Sequence, residues 1–310
     1  MKLSLSNFSS NQYLKFGKTQ LETLRAIRAC GFTNIDLDIL PAYLEGDVKQ
    51  NAKDLKAMLA EAGLQATMAH APCINPLKRG REALESSVKA LSFCQSLGIS
   101  CVVVHPGAVK ENTREEFFDR NVAFYRALIP YAEETGVSVL VENIGNYADP
   151  YFLWNGTDLR EMIDRIGHSS FGACWDIGHA NHFFQEDCNQ YQSIVTLGEK
   201  LMAIHAHDNC GYIADPYKHL RMDMHTLPCF ASPASVNWDA VLQGLKDIDY
   251  QGTFNFEVKA PAASECEPFV YNGEIQSRLS VMPMEVWVAV NTALYKMGEY
   301  MLKAYDVFEG

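Results

Sequence analysis

Residues 171–179 read FGACWDIGH: a β-rich run, Phe171–Asp176, ends on a carboxylate, and an imidazole, His179, follows three residues later. The same form recurs on both sides. Upstream, Ser138–Glu142 (SVLVE) also ends on a carboxylate, while Gln65–His70 (QATMAH) and Ser100–His105 (SCVVVH) end on imidazoles. Downstream, Leu201–His207 (LMAIHAH) carries His205, and Thr253–Glu257 (TFNFE) ends on Glu257. Lys2–Ser6 and Thr33–Leu37 bring the number of such runs to eight. Between them lie Val48–Ala62, Glu82–Leu97, Thr113–Glu134, Thr157–Ile166 and Trp238–Lys246, each repeating apolar residues at helical spacing. Short strands alternating with longer helices are the sequence form of βα units around a parallel sheet. The predicted fold class is therefore α/β, a (β/α)8 TIM barrel.

Gly31, Gly63, Gly98, Gly136 and Gly252 each fall between a helical stretch and the next strand, where a left-handed C-cap is wanted. No stretch rich in Pro, Gly or Ser divides the chain, so residues 1–310 are expected to form a single domain. Two segments exceed an ordinary connection: 209–237 after the seventh run, and 260–310, which opens with a long loop and closes with a helix near Met284–Tyr305. Loops of that length in a barrel serve as lids over a site or as oligomer contacts. A homo-oligomer is thus one expectation.

The length, 310 residues, suits a barrel carrying one or two insertions. Hydrophobic residues at 48%, charged residues at 21% and a mean hydropathy of -0.12 exclude a disordered or fibrous chain. A formal net charge of -12 argues against nucleic acid or anionic lipid as a partner. Nine scattered cysteines with no CxxC pair read as reduced thiols rather than a disulfide framework. The first residues show no apolar leader and no run reaches the length of a membrane span, so a cytoplasmic location without membrane contact is expected.

Carboxyl ends of barrel strands converge on one mouth. His70, His105, Glu142, Asp176, His205 and Glu257, far apart in sequence, are therefore expected within a few side-chain lengths of one another. His179 joins them, as do Asp223 and His225 from the long seventh loop. A lone His at a strand end is more often a hydrogen-bonded structural residue, and a lone Glu more often a salt-bridge partner. Six consecutive strands presenting ligand types at the same end point instead to a bound cation. Mixed imidazole and carboxylate ligands suit zinc, manganese, iron or cobalt, and the absence of a Cys pair removes a structural zinc. The expected cofactor is a catalytic divalent metal ion, zinc or manganese. Lys259 lies two residues past Glu257 on the same strand face, placed to orient a substrate group or to pair with a carboxylate. His207 shares the side of His205 as an outer partner or an alternative ligand.

The segments MAHAP (68–72), VVVHPG (102–107), VEN (141–143), WDIGH (175–179), IHAHDN (204–209), DMH (223–225) and FEV (256–258) stand in one order over most of the chain. In this the chain resembles the xylose-isomerase-like barrel superfamily, which includes sugar isomerases, ketose 3-epimerases, inosose dehydratases and the endonuclease IV family. Similarity to the epimerase type implies that Glu142, Asp176, His205 and Glu257 hold one metal. It also implies that Glu142 and Glu257 are the catalytic acid and base and that His179 binds substrate; His70, His105 and Lys259 are expected beside them as further substrate contacts. Similarity to the endonuclease IV type implies three zinc ions held by His70, His105, Glu142, Asp176, His179, His205, Asp223, His225 and Glu257. All nine residue types are present, so the ligand set leaves both open. In one respect the chain departs from many relatives: residues 223–238 read DMHTLPCFASPASVNW, without a Pro-Gly-Glu-Gly turn, which weakens the assignment of Asp223 and His225.

The expected function is a metal-dependent isomerase or epimerase acting on a sugar or sugar phosphate. A metal chelated by adjacent sugar oxygens stabilises the enediolate left by C–H proton removal; Glu142 and Glu257 then move the proton on opposite faces. Charge separates the alternatives: four carboxylates around one divalent ion leave the pocket near about -2, and around three ions near about +2. The first suits a neutral sugar and the second phosphate, as in an endonuclease IV-like trinuclear-zinc phosphodiesterase. A polyol dehydratase on the same barrel is the third reading. The short basic run Lys78, Arg79 and Arg81 reads as solvated surface, and Tyr43, Trp154, Tyr212 and Tyr217 as mouth aromatics suited to covering a pocket or wedging a base stack.

Overall fold

The computed structural model describes residues 1–310 apart from 145–150, 182–188, 210, 212, 215–218, 221–223, 231–234, 260–269 and 276–280. Seven strands, β1 (Leu3–Ser6), β2 (Asn34–Asp38), β3 (Gln65–His70), β4 (Cys101–Val103), β5 (Ser138–Glu142), β6 (Phe171–Asp176) and β7 (Leu201–His205), pair in chain order, each parallel to the last. Beyond β7 stand two short strands outside the sheet, β8 (Ile213–Ala214) and β9 (His219–Leu220); the eighth sheet strand, β10 (Phe254–Phe256), pairs parallel with β1. The ring closes where Ala206 bridges Phe256: the Ala206 amide donates to Asn255 O at 2.8 Å and the Glu257 amide to Ala206 O at 3.1 Å. A second hairpin, β11 (Val270–Tyr271) and β12 (Glu274–Ile275), lies in the C-terminal segment. The molecule is a (β/α)8 TIM barrel, as expected.

Strand alternation sorts the side chains into two environments. Leu5, Ile35, Leu37, Val102, Val139, Val141, Phe254 and Phe256 belong to the large core between the sheet and the helices. Met68, Cys101, Val103, Leu140, Cys174 and Ala203 form a separate small cluster, which alternation places inside the barrel. The interior faces of β1, β2 and β10 are polar instead, with Ser4, Ser6, Asn34, Asp36 and Asn255 all buried. One half of the interior is thus apolar packing and the other half a set of buried hydrogen-bonding groups.

The outer layer comprises α1 (Phe8–Asn11), α2 (Gln20–Ala29), α3 (Val48–Ala62), α4 (Gly80–Leu97), α5 (Arg114–Thr135), α6 (Gly156–Ile166), α7 (Ile177–Asn181), α8 (Gln190–Leu197), α9 (Trp238–Asp247) and α10 (Met284–Ala304). Thr19 with Glu22 and Thr113 with Glu116 make reciprocal capping boxes that start α2 and α5. Gly63, Gly98 and Gly136 end α3, α4 and α5 in the left-handed conformation. Gly252 does not: Asp249, at φ 53°, takes the left-handed position after α9. Gly252 is small for another reason, since a Cβ there would lie 2.2 Å from the Tyr250 hydroxyl. α10 covers the seam between β10 and β1, where Gly298 lets it sit directly on Phe256 and Leu3. Among the described residues no helix is long and apolar enough to cross a membrane.

Two expected strands are shorter than their sequence runs. β4 stops at Val103, ahead of His105 and Pro106, because proline has no N–H to continue the ladder. β7 stops at His205, and the chain beyond Ala206 turns across the mouth. Both endings free an imidazole to point into the opening rather than along the sheet.

Candidate metal centre

Glu142, Asp176, His205 and Glu257 each offer a ligand atom, and the four atoms lie within 4.8 Å of one another. They come from the ends of β5, β6 and β7 and from the residue after β10. His205 Nδ1 is 3.0 Å from Glu142 Oε1, 3.2 Å from Glu257 Oε2 and 3.9 Å from Asp176 Oδ2. Its other nitrogen, Nε2, faces away and stands 3.3 Å from Asp36 Oδ2, a carboxylate oxygen that accepts a hydrogen bond from Asn255 Nδ2 at 3.1 Å. A carboxylate behind a ligand imidazole sets the tautomer and leaves the inner nitrogen basic. Asn143 ties β5 to β6 beneath the ring: its Nδ2 donates to Asp176 O at 2.8 Å, and the Asp176 amide donates to its Oδ1 at 2.7 Å.

Burial alone would push the Glu142 and Asp176 carboxyls up; His205 and His105 instead hold Glu142 well below the usual range, and His179 and His207 hold Asp176 down. Imidazole protons are thus the counter-charge to buried carboxylates. A divalent ion can replace them, releasing protons as it binds. The donor set, three carboxylates and one imidazole, fits zinc or manganese.

Asp36→Asn keeps the side-chain shape but removes the charge behind His205. It should weaken divalent-metal binding at this ring by about 10- to 100-fold, read by equilibrium dialysis of manganese. An unchanged affinity would show that Asp36 does not orient His205.

Two further donor groups flank the ring. In the first, His70, Cys73 and His105 offer atoms within 4.8 Å of one another. His70 Nδ1 donates to Ala71 O at 2.8 Å, and its Nε2 faces His105 Nε2 at 2.9 Å; His105 Nε2 is 2.7 Å from Glu142 Oε2. Burial lowers the basicity of His70, but Cys73 and Glu142 outweigh it and raise its pKa to about 9. Burial likewise raises the Cys73 thiol, and His105 with His70 more than offset this, bringing it to about 7.

The second flanking group is His179, His207 and His225. His179 Nδ1 donates to Asn143 O at 2.9 Å and His225 Nδ1 to Glu257 O at 2.8 Å. His207 Nε2 is 3.0 Å from Asp176 Oδ1, and its ring stacks on His225 with centroids 3.8 Å apart. The His207 ring also rests on Gly178, where a Cβ would lie 2.0 Å from Cε1. His225 is held at a left-handed φ of 44°. Asp208 fixes this part of the mouth: its backbone pairs with Thr226 at 2.8 and 2.9 Å. Its carboxylate accepts from the amides of Asn209, Cys229 and Val236 and from Trp238 Nε1, at 2.8 to 3.0 Å.

Eight of the nine expected ligands, all but Asp223, therefore meet at the mouth. Asp223, Tyr212 and Tyr217 lie outside the described residues. Lys259 is half-buried, its amide donating to His225 O at 2.7 Å. Tyr43 stacks on Phe93 of α4 at 5.6 Å and donates to Gln20, so it is built into the outer layer rather than presented as a wedge. Arg79 and Arg81 pair with Glu82 and Glu85 at the start of α4, as a solvated run does. Asp36, Cys73 and Asp208 were not expected at the site. The alternation NIDLD in β2 was the available signal for Asp36, since Asn34, Asp36 and Asp38 share one face.

Comparison with known proteins agrees with this architecture. An uncharacterized protein of Methanocaldococcus jannaschii is 27% identical over 260 residues, covering 79% of this chain and 84% of that one. The crystal structure of a D-tagatose 3-epimerase-like protein superposes with a TM-score of 0.72 at 22% identity, over 99% of this chain and 98% of the other. The IolI protein, solved with a bound zinc atom, gives 0.71 at 16% identity over the whole of both chains. The model of the xylose isomerase-like TIM barrel family matches residues 24–272, and the chain belongs to that family.

Proposed function

We propose that this chain is a metal-dependent isomerase or epimerase that moves a proton on a sugar or sugar phosphate through an enediolate. The observation that carries the reading is the pair Glu142 and Glu257, both within reach of His205 Nδ1, at 3.0 and 3.2 Å, and sharing the one four-donor ring. Zinc or manganese held by Glu142, Asp176, His205 and Glu257 would supply the Lewis acidity that stabilises an enediolate oxygen. Glu142 lies deep, 1% exposed, and Glu257 nearer the opening, 14% exposed, so the two carboxylates address a bound carbon from different depths. Glu142 accepts the C–H proton and Glu257 returns one on the other face. His179, from α7 directly after β6, and Lys259, beyond β10, hold substrate oxygens at the rim. Neighbouring folds among sugar epimerases support a sugar as the substrate class.

The phosphodiesterase reading draws support from the three adjacent donor groups, but the arginines of the short basic run are neutralised by their own helix, Arg79 with Glu82 and Arg81 with Glu85. Manganese- or zinc-loaded protein incubated with D-fructose, D-tagatose and D-psicose in heavy water should incorporate deuterium beside the carbonyl. Chelation should abolish this. Loss of water from a cyclic polyol ketone without exchange into a ketose would favour the dehydratase, and cleavage of an abasic duplex without exchange would favour the phosphodiesterase.

A further inference from the structure

We propose that a groove opening off the mouth, between the end of β2 and α4, is a second sugar subsite, so that the substrate is a ketose extended by a neutral glycosyl unit. This rests on the sugar reading above and narrows it. The groove has a volume of about 540 Å³, inside the range of roughly 300–1,000 Å³ that small-molecule sites occupy. One wall is the end of β2 with the turn Pro41–Leu44, and the other is the loop after β3 with the first half of α4. From α4 come Glu82, Glu85, Ser86 and Lys89, whose helical spacing sets them on one face.

Two residues belong to both the groove and the mouth. Asp38 stands beside His70 in the register of β2 with β3. Cys73 lines the groove, and its sulfur lies within 4.8 Å of ligand nitrogens of His70 and His105. His105 Nε2 in turn is 2.7 Å from Glu142 Oε2, so a molecule anchored at the ring reaches the groove past Cys73.

The lining selects what fits. Leu40, Pro41, Pro72 and Ile74 leave apolar surface open to the groove, suited to the C–H face of a pyranose. Carboxylates accept from sugar hydroxyls and repel phosphate. Arg79 is held by Glu82, and Glu85 by Arg81. Beyond these pairs the lining carries Lys89 against Asp38 and Glu45, so a phosphate meets no cationic clamp while hydroxyls meet acceptors.

The test uses manganese-loaded, full-length protein with D-fructose, D-fructose 6-phosphate, and isomaltulose and maltulose, which are fructose carrying glucose on its sixth and fourth oxygens. Binding is read by calorimetry and deuterium exchange by NMR. One of the two disaccharides should bind about 10-fold or more tighter than D-fructose, the scale of discrimination that one more filled pocket supplies, and the phosphate no tighter than D-fructose. Ser86→Phe, which fills the groove from α4, should erase that advantage, and Glu45→Ala, at an exposed position, should reduce it. Exchange into D-fructose with no disaccharide advantage would overturn the groove and leave the isomerase reading intact. Tighter disaccharide binding that Ser86→Phe abolishes, without exchange into any ketose, would support the groove and remove the isomerase reading. A sugar phosphate bound tighter than D-fructose, or an advantage that survives Ser86→Phe, would also overturn the proposal.

Discussion

Glu257→Gln should slow exchange of the substrate C–H proton by about 100- to 10,000-fold, the range that a positioned general acid or base contributes. The substitution is nearly isosteric, and the backbone at this position is independently fixed: the Glu257 amide donates to Ala206 O at 3.1 Å and its carbonyl accepts from His225 at 2.8 Å. What changes is the loss of a group able to carry a proton. Deuterium incorporation, measured by NMR alongside metal content, separates this from simple loss of the ion. Full exchange in a variant that retains its metal would remove Glu257 from acid–base chemistry.

Asp208→Ala should cost about 3 kcal/mol or more of stability, because four donors to one charged, buried acceptor lose it together. Three are backbone amides, of Asn209, Cys229 and Val236, and the fourth is Trp238 Nε1 at the start of α9. These bonds staple the segment carrying His225 to the end of β7. The urea midpoint should fall clearly, and Asp208→Asn, which keeps one acceptor oxygen, should fall less. A shift within about 0.5 kcal/mol, the usual scatter for surface changes, would show that the staple is not needed.

Particular residues show why some of this was legible in advance. The ends of β3, β5 and β6 fall where the apolar runs end on His70, Glu142 and Asp176, since a buried parallel strand must stop being apolar at its mouth. Those same endings, with His205 and Glu257, placed the ring. Asp36 was harder to see: in NIDLD the polar face reads as solvent-facing, whereas here it points into the barrel's polar half. Cys73 depends on the path of the loop after β3, which periodicity does not encode. Nothing in the sequence marks Asp208, because three of its four partners lie 21 to 30 positions away. Gly252 was misread as a cap because a glycine between helix and strand has two explanations, and close approach to Tyr250 is the one that holds.

The contact between Gly178 and His207 ties two distant positions to each other. Gly178 does not adopt a left-handed φ, so the backbone itself would tolerate alanine. The imidazole resting on it is what forbids a side chain: the three atoms nearest an added Cβ all belong to His207, at 2.0 to 2.5 Å. The two residues can therefore be exchanged in evolution or design only as a pair: a larger residue at 178 requires a smaller one at 207, and with it the loss of the nitrogen that meets Asp176.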